Sequence, residues 1–170
     1  MAVAKDILLT FLEYNHRANR SLLAQVKRLT PEQLRAAAPI SHGSAFDLIR
    51  HMLDSEWSWR LFASGGAGQK YLWEVEDVPD IAAVERFWPA EHQRLLEYVR
   101  SLSDAGLQRD VDYGTAQGGQ PHFMQVWQIL IHVVNHGTHH RSELSRFLED
   151  SGHPVAQPDL DFASFATRRG

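Results

Sequence analysis

Apolar residues recur every three or four positions over long stretches of this 170-residue chain. The row in the first segment comprises Ile7, Phe11, Tyr14, Ala18, Leu22, Val26 and Leu29. Similar rows occur at about residues 45–63, 81–102 and 123–149. This spacing places apolar side chains on one face of an α-helix, and such helices bury that face against one another. The sequence therefore predicts an all-α protein, a four-helix bundle with long loops.

Cap and breaker residues predict where several helices begin and end. Thr30 precedes a proline and predicts a short helical turn, and Ser44 predicts the start of the second long helix. Pro89 lies inside the third segment, where its missing N–H predicts a kink or a restart of the helix. Residues 103–122 are rich in Gly, Asp and Gln, which predicts mostly loop, with a short strand or ribbon around residues 109–115 as the alternative.

Length and composition limit the domain organisation and the class of protein. With 44% hydrophobic residues, residues 1–170 suffice for a single domain, and residues 155–170 are predicted to form an irregular tail that packs back on the bundle. Acidic residues interrupt the N-terminal segment, and no run of roughly 18 apolar residues occurs, so we expect a soluble cytoplasmic protein with no membrane partner. A net charge of −4 without a basic stripe argues against nucleic-acid binding.

Four of the ten histidines lie between residues 132 and 144, on the predicted fourth helix. At about 100° per residue, His140 falls within the apolar face and His136 at its edge. His132 and His139 fall on the polar face, where they are predicted to be solvated, with a role in orienting a metal ligand as the alternative. Because His136 and His140 are one helical turn apart, their imidazoles can converge on a single ion.

A metal site on this helix needs a further ligand from another helix, because stable sites usually have at least three protein ligands. The chain has no cysteine, so the ligand must be His, Asp or Glu. His51 is the best candidate, because it lies at the boundary of the apolar face of the second helix. The weaker candidates are His16, His42, His92, His122 and His153. A histidine on an apolar face is more often a hydrogen-bonded core residue than a ligand, and that alternative stays open.

Three stretches of the chain resemble one known family. They are YNHRANRSLL in the first helix, GSAFDLIRHMLDSEWSW in the second, and HVVNHGTHHRSEL with the later PDLDF. The resemblance is to the DinB-like superfamily, which includes damage-inducible DinB proteins, mycothiol-dependent maleylpyruvate isomerases and bacillithiol transferases, all metal-binding four-helix bundles. It covers nearly the whole chain and implies that His51, His136 and His140 are the metal ligands. Many members read Arg-Gly-Gln where this chain has Arg141, Ser142 and Glu143, which leaves the substrate class open.

The resemblance implies an open metal site. Three imidazoles leave coordination positions vacant on a divalent transition metal such as Zn, Ni or Fe, and such a metal lowers the pKa of a bound water or thiol. Two chemistries follow for a small-molecule substrate: transfer or isomerisation with a low-molecular-weight thiol, or metal-assisted hydrolysis. A non-enzymatic metal-binding protein of a stress response is the third alternative. The sequence assigns no catalytic residue. It does not decide the oligomeric state, and a homodimer is the alternative to a monomer that the resemblance offers, because dimerisation is common in the family.

Two acids and one arginine complete the set of candidate residues. Glu56 and Glu143 are predicted to be surface charges, with general-base work as the alternative. Arg141 falls on the apolar side of the fourth helix, where a guanidinium without partners would be costly. We therefore predict that the tail folds back and that Asp159 or Asp161 pairs with Arg141, which would give the arginine a structural role.

Overall fold

The computed structural model describes residues 5–66, 71–116 and 118–167. In chain order, these residues form α1 (Lys5–Val26), α2 (Pro31–Arg35), α3 (Ala45–Ala63), α4 (Leu72–Val75), α5 (Ile81–Ser101), α6 (Asp104–Leu107), β1 (Asp110–Asp112), α7 (Tyr113–Ala116), β2 (Phe123–Gln125), α8 (Val126–Asp150), α9 (Gln157–Leu160) and α10 (Phe162–Thr167). The two strands pair in antiparallel register, with Val111 opposite Met124. Four long helices and little strand confirm the predicted all-α class.

The chain divides into two compact units. The first comprises Met1–Leu12 and Leu53–Val134, and the second comprises Glu13–Met52 and Asn135–Gly170. The long helices α1, α3 and α8 contribute residues to both units. The single domain predicted from the chain length stays a prediction.

Each unit buries apolar side chains at the spacing that the sequence predicts. In the first unit, the buried residues of α5 include Val84, Trp88, Leu95 and Val99. In the second unit, the buried apolar residues of the long helices include Ala18, Leu22, Val26, Phe46, Leu48, Ile49, Leu144 and Leu148. Among the helices of the described residues, none is both long enough and apolar enough to cross a membrane.

Hydrogen bonds to side chains fix the starts of α2 and α3. The backbone N–H of Gln33 donates to Thr30 Oγ1 over 3.2 Å, and the Gln33 side chain accepts from the Thr30 N–H over 2.8 Å. At the next helix, the N–H of Asp47 donates to Ser44 Oγ over 3.1 Å. Such bonds satisfy amide groups that have no partner inside the helix. Both predicted caps are confirmed.

Pro89 does not interrupt α5, which runs continuously from Ile81 to Ser101. The predicted restart is therefore wrong, and the alternative of a kink stays a prediction. The ring removes the N–H that would bond to the carbonyl of Glu85, but Pro89 and Glu85 are both exposed, so water can replace that donor. The opposite face of the helix, which includes Trp88, stays buried.

A strand, the start of a helix and the structure of the tail differ from the main predictions. The alternative of a short strand around residues 109–115 is confirmed by β1, but α8 begins at Val126 and not at Phe123. Residues 123–125 pair with β1 and so cannot make helical bonds. The tail is not wholly irregular, because α9 and α10 each form a short helix there. The N–H of Ser164 donates to Asp161 Oδ2 over 2.8 Å, which caps α10.

Candidate metal centre

The three histidines predicted as ligands lie together in the second unit. His51 comes from the middle of α3, and His136 and His140 are one turn apart on α8. The Nε2 atom of His136 lies 3.1 Å from Nε2 of His51 and 3.1 Å from Nε2 of His140. Nε2 of His136 thus lies close to one imidazole nitrogen of each of the other two histidines.

Hydrogen bonding alone does not account for this arrangement. In a neutral imidazole, Nε2 either carries one proton or offers one lone pair, so it makes one good hydrogen bond, whereas Nε2 of His136 has two neighbours at 3.1 Å. A metal ion bound at about 2.0–2.1 Å from each nitrogen would hold its nitrogen ligands about 3.0–3.4 Å apart. The spacing fits a shared metal ion.

Glu143 orients the imidazole of His140. Its Oε2 lies 2.8 Å from Nδ1 of His140 and also accepts a hydrogen bond from the Ser41 hydroxyl. An Nδ1–H that donates to a carboxylate leaves the lone pair on Nε2, the nitrogen that faces the other two histidines. Burial would raise the pKa of Glu143, but the hydrogen bonds from Ser41 and His140 outweigh it and hold the pKa below its ordinary value. Glu143 therefore stays ionised and keeps the proton of His140 on Nδ1.

The surroundings of His51 keep this side chain neutral. Burial, together with the nearby imidazoles of His42 and His140, lowers the pKa of His51 to about 4. Burial, followed by His140, also lowers the pKa of His42. A neutral imidazole has a lone pair to give, whereas a protonated one cannot bind a metal.

His42 is a neighbour of the site that the sequence interpretation ranked among the weaker candidates. Its ring stacks on the ring of His51, with centroids 3.7 Å apart and planes 21° apart. His42, His51 and His140 each offer one ligand atom, and these atoms lie within 4.8 Å of one another. Helical periodicity could not reveal His42, because it lies in the loop before α3. The adjacent Gly43 and the cap at Ser44 were the only local signals.

Four other sequence predictions have different outcomes. His139 is exposed on α8, as predicted, with 68% of its side chain accessible. His132 is not fully solvated, because its half-buried ring packs against Trp59 with centroids 4.7 Å apart. The prediction of Glu56 as a surface charge is wrong, because Glu56 is 2% exposed and its Oε2 accepts a hydrogen bond from Trp88 Nε1 over 3.2 Å. The other carboxylate oxygen, Oε1, lies 3.7 Å from Nδ1 of His92. Glu143 is half-buried and bonded as described above.

Arg141 is buried and hydrogen-bonded within the second unit. Its guanidinium donates to the side-chain oxygens of Asn15, Asn19 and Thr138, the last two over 2.7 and 2.8 Å. These acceptors provide partners for the buried guanidinium, and the structural role of Arg141 stays a prediction. The predicted pairing with Asp159 or Asp161 stays a prediction.

The tail folds back on α1, as predicted. The Tyr14 hydroxyl donates to the carbonyl of Leu160 over 2.7 Å, and the Tyr14 ring meets the ring of Phe162 edge-on with centroids 5.2 Å apart. The Arg141 guanidinium also lies 5.3 Å from the centre of the Tyr14 ring. Tyr14 thus joins the tail to the buried arginine.

Comparisons with known proteins identify the family. The sequence model of the DinB family matches residues 1–169. The chain belongs to the DinB family. It is 24% identical over 171 residues to Protein DinB of Bacillus subtilis (strain 168), with 96% of each chain covered.

Solved structures of DinB-like proteins share the fold. A DinB-like protein from Bacillus subtilis has a TM-score of 0.58 at 15% identity, with 84% of this chain and 92% of that chain covered. A DinB-like protein from Bacillus cereus ATCC 10987 has a TM-score of 0.52 at 21% identity, with 86% of this chain and 93% of that chain covered. The predicted helical bundle is confirmed.

Proposed function

We propose that this DinB family protein binds one divalent transition metal through Nε2 of His51, His136 and His140. The observation that carries the proposal is the pair of 3.1 Å contacts from Nε2 of His136 to the other two nitrogens. Imidazole ligands suit Zn, Ni and Fe, and the choice among them depends on geometry and on metal availability. The depressed pKa of His51 supports the proposal, because this ligand needs no deprotonation at neutral pH.

We further propose that the protein is an S-transferase or an isomerase. It would act on small molecules with a low-molecular-weight thiol as cosubstrate. When bound, the metal supplies a Lewis acid that favours the thiolate form of that thiol near neutral pH. The chain contains no cysteine, so the thiol must be brought by a cosubstrate. The resemblance to thiol-dependent members of the superfamily supports the same reaction class.

The residues around the proposed centre would orient the histidine ligands and would not contact the substrate. Glu143 holds the proton of His140 at Nδ1, and Ser41 donates to the same carboxylate oxygen. Burial of His140, whose side chain is 7% exposed, limits the access of water to that hydrogen bond. These contacts keep the imidazole in one orientation before any substrate arrives.

The metal proposal is tested by elemental analysis of protein purified without an affinity tag. The wild type should carry about one ion per chain. His51→Ala, His136→Ala and His140→Ala should each lose most of it, whereas His139→Ala, an exposed neighbour on α8, is the matched control and should retain it. Full metal content in His51→Ala would remove the ligand on α3 from the proposal.

The proposed reaction is tested with a panel of low-molecular-weight thiols and small electrophiles. Turnover should need both metal and thiol, and it should be absent in His136→Ala. If ester or amide substrates are cleaved without any thiol, the protein is a hydrolase. If it binds metal but turns over neither panel, a non-enzymatic metal-binding role replaces both enzyme proposals.

A further inference from the structure

We propose that His42 is a fourth imidazole ligand of the metal centre, with the proposed thiol as a fifth ligand, a coordination number that catalytic zinc can reach. This inference rests on the proposed function, because it concerns the same ion. It adds a residue from the loop before α3 to a ligand set that otherwise comes from the long helices α3 and α8.

The position of the His42 ring supports this role. The ring lies face to face with that of His51 at 3.7 Å and edge-on to that of His140, with centroids 5.7 Å apart. The ligand atoms of His42, His51 and His140 lie within 4.8 Å of one another. Two nitrogens on opposite sides of one metal ion would be about 4.2 Å apart, so the 4.8 Å limit on these separations is close to the span of a shared ion.

The backbone of His42 adopts a conformation that a side chain disfavours. Its φ is 65°, and it is the only non-glycine residue in the described ranges with a positive φ. Gly43 follows with a φ of 79°, which costs a glycine little. A histidine in the left-handed region is uncommon, and such residues cluster at functional sites where the surrounding contacts enforce the conformation. In this backbone conformation, the imidazole stacks on the ring of His51.

Bonds on both sides of His42 hold the loop at the centre. The carbonyl of Gly43 accepts from the N–H of Ala38 over 2.9 Å, and the N–H of Gly43 donates to the carbonyl of Ile40 over 3.2 Å. Ser41 donates to Glu143 and lies 3.3 Å from Nδ1 of His140. The carboxylate that orients one ligand therefore also anchors the residue next to His42.

A second group of possible ligands fits the same ion less well than the group that contains His42. His139, His140 and Glu143 also offer atoms within 4.8 Å of one another. However, Glu143 lies 2.8 Å from Nδ1 of His140, whereas the shared centre uses Nε2 on the other side of that ring. His139 is therefore expected to stay outside the centre, and it serves as a control.

The experiment counts imidazole ligands in the Zn²⁺-loaded, tag-free protein by X-ray absorption at the zinc edge. The wild type should show four imidazoles and His42→Asn three. Asparagine tolerates the left-handed conformation, so this substitution removes the imidazole and keeps the loop. Zn²⁺ affinity, measured by competition with a chelator, should fall at least about 10-fold, the smallest loss typical for residues that merely support a ligand. His139→Ala should change neither the count nor the affinity.

Further measurements separate the possible failures. The urea midpoint of the metal-free protein should not fall in His42→Asn or in His42→Gly, which shows that any loss of affinity comes from the missing imidazole. Three imidazoles and equal Zn²⁺ affinity in the wild type and His42→Asn would overturn the role of His42 and leave the three-histidine centre standing. A wild type that binds no Zn²⁺ would overturn both proposals. A loss in His139→Ala equal to that in His42→Asn would assign the fourth position to the other grouping.

Discussion

At the scale of single residues, the two ring nitrogens of His140 have different partners. Nδ1 faces the carboxylate of Glu143, and Nε2 faces Nε2 of His136. A carboxylate that accepts from one nitrogen raises the basicity of the other and fixes the ring plane. Glu143 is therefore a positioning residue for His140, the proposed metal ligand, and has no proposed contact with the substrate.

The first prediction concerns Glu143. Glu143→Ala should weaken Zn²⁺ binding by about 10–100-fold, because the tautomer and orientation of His140 are no longer fixed. Glu143→Gln should lose less, because the amide oxygen can still accept from Nδ1–H. Competition with a chelator measures both affinities.

Glu149→Gln, an exposed acid further along α8, is the control for the change in charge and should bind Zn²⁺ like the wild type. Equal affinity in Glu143→Ala and the wild type would show that the Glu143 contact contributes nothing to the centre.

The residue-scale predictions from sequence succeeded where helical geometry decides the outcome. The helical wheel, drawn at about 100° per residue, placed His140 within the apolar face of the helix, His136 at the edge of that face and His139 on the polar face. The burial of the three side chains follows that order. The wheel could not find His42, because the position of that ring depends on a left-handed loop conformation. It also misjudged Glu56, because a wheel shows which face a side chain occupies but not the Trp88 donor that it meets in the fold.

At the scale of elements, the packing of α1 against α8 depends on a glycine. A Cβ added to Gly137 would collide with Asn15 Oδ1 and would lie 2.8 Å from Arg141 Nη1. These two groups are hydrogen-bonded to each other. The missing side chain of Gly137 therefore makes room for the buried guanidinium and its acceptor.

The second prediction is that Gly137→Ala destabilises the protein. Inside a helix, Gly→Ala normally stabilises by roughly 0.5–1 kcal/mol. Here the added methyl group displaces Asn15 or Arg141, and loss of a buried hydrogen bond to a charged group costs about 1.5–3 kcal/mol. The net change in the free energy of unfolding should be a loss, as measured by urea denaturation.

Asn135→Ala, at an exposed position on the same helix, is the control and should be neutral or slightly stabilising. Equal gains in the two variants would mean that the Gly137 site has room for a methyl group.

Helix boundaries were predictable where a local signal sets them. Thr30 and Ser44 cap their helices through bonds within three residues, so the sequence contains all the information. The start of α8 was not predictable in this way, because residues 123–125 pair with β1, which lies more than ten residues earlier in the chain. The continuity of α5 through Pro89 depends on solvent access at that turn.

At the scale of the whole molecule, the family and the helical class could be predicted from the sequence, because apolar periodicity recurs in four long segments and the motifs of the family lie on three of them. The identity of the metal could not, since three imidazoles accept several divalent ions. The substrate and the oligomeric state depend on the shape and chemistry of the protein surface, which the spacing of apolar residues does not specify. The thiol cosubstrate and the homodimer therefore remain proposals.

The third prediction is that Zn²⁺ stabilises the whole protein. Binding to the folded state alone adds a free energy that grows with ligand concentration, about 2.7 kcal/mol at a free concentration 100 times the Kd. The melting temperature of the metal-free protein should therefore rise on addition of Zn²⁺. His136→Ala should show little or no rise, and an equal rise in this variant would place the stabilising ion elsewhere.

The last prediction is that the metal-free protein loses stability as the pH falls below about 6.5. Burial is the first cause of the lowered pKa values of His42, His51 and His132, and for His51 the value falls from 6.5 to about 4. The unfolded chain therefore binds more protons than the folded protein in this window, so protonation favours unfolding. His51 contributes its full stabilisation above pH 6.5 and loses it progressively towards pH 4, with a slope of at most about 1.4 kcal/mol per pH unit.

Glu91 acts in the opposite direction, because burial raises its pKa, so that stability is lost as the pH rises through that value. The comparison of the wild type with His51→Gln separates the two effects, because Glu91 is present in both proteins. Urea unfolding with a chelator present, at pH 7.5 and pH 5, should give a smaller pH-dependent loss for His51→Gln. An equal loss in the two proteins would mean that the folded state protonates His51 as readily as the unfolded chain does, and that the site does not keep this imidazole neutral.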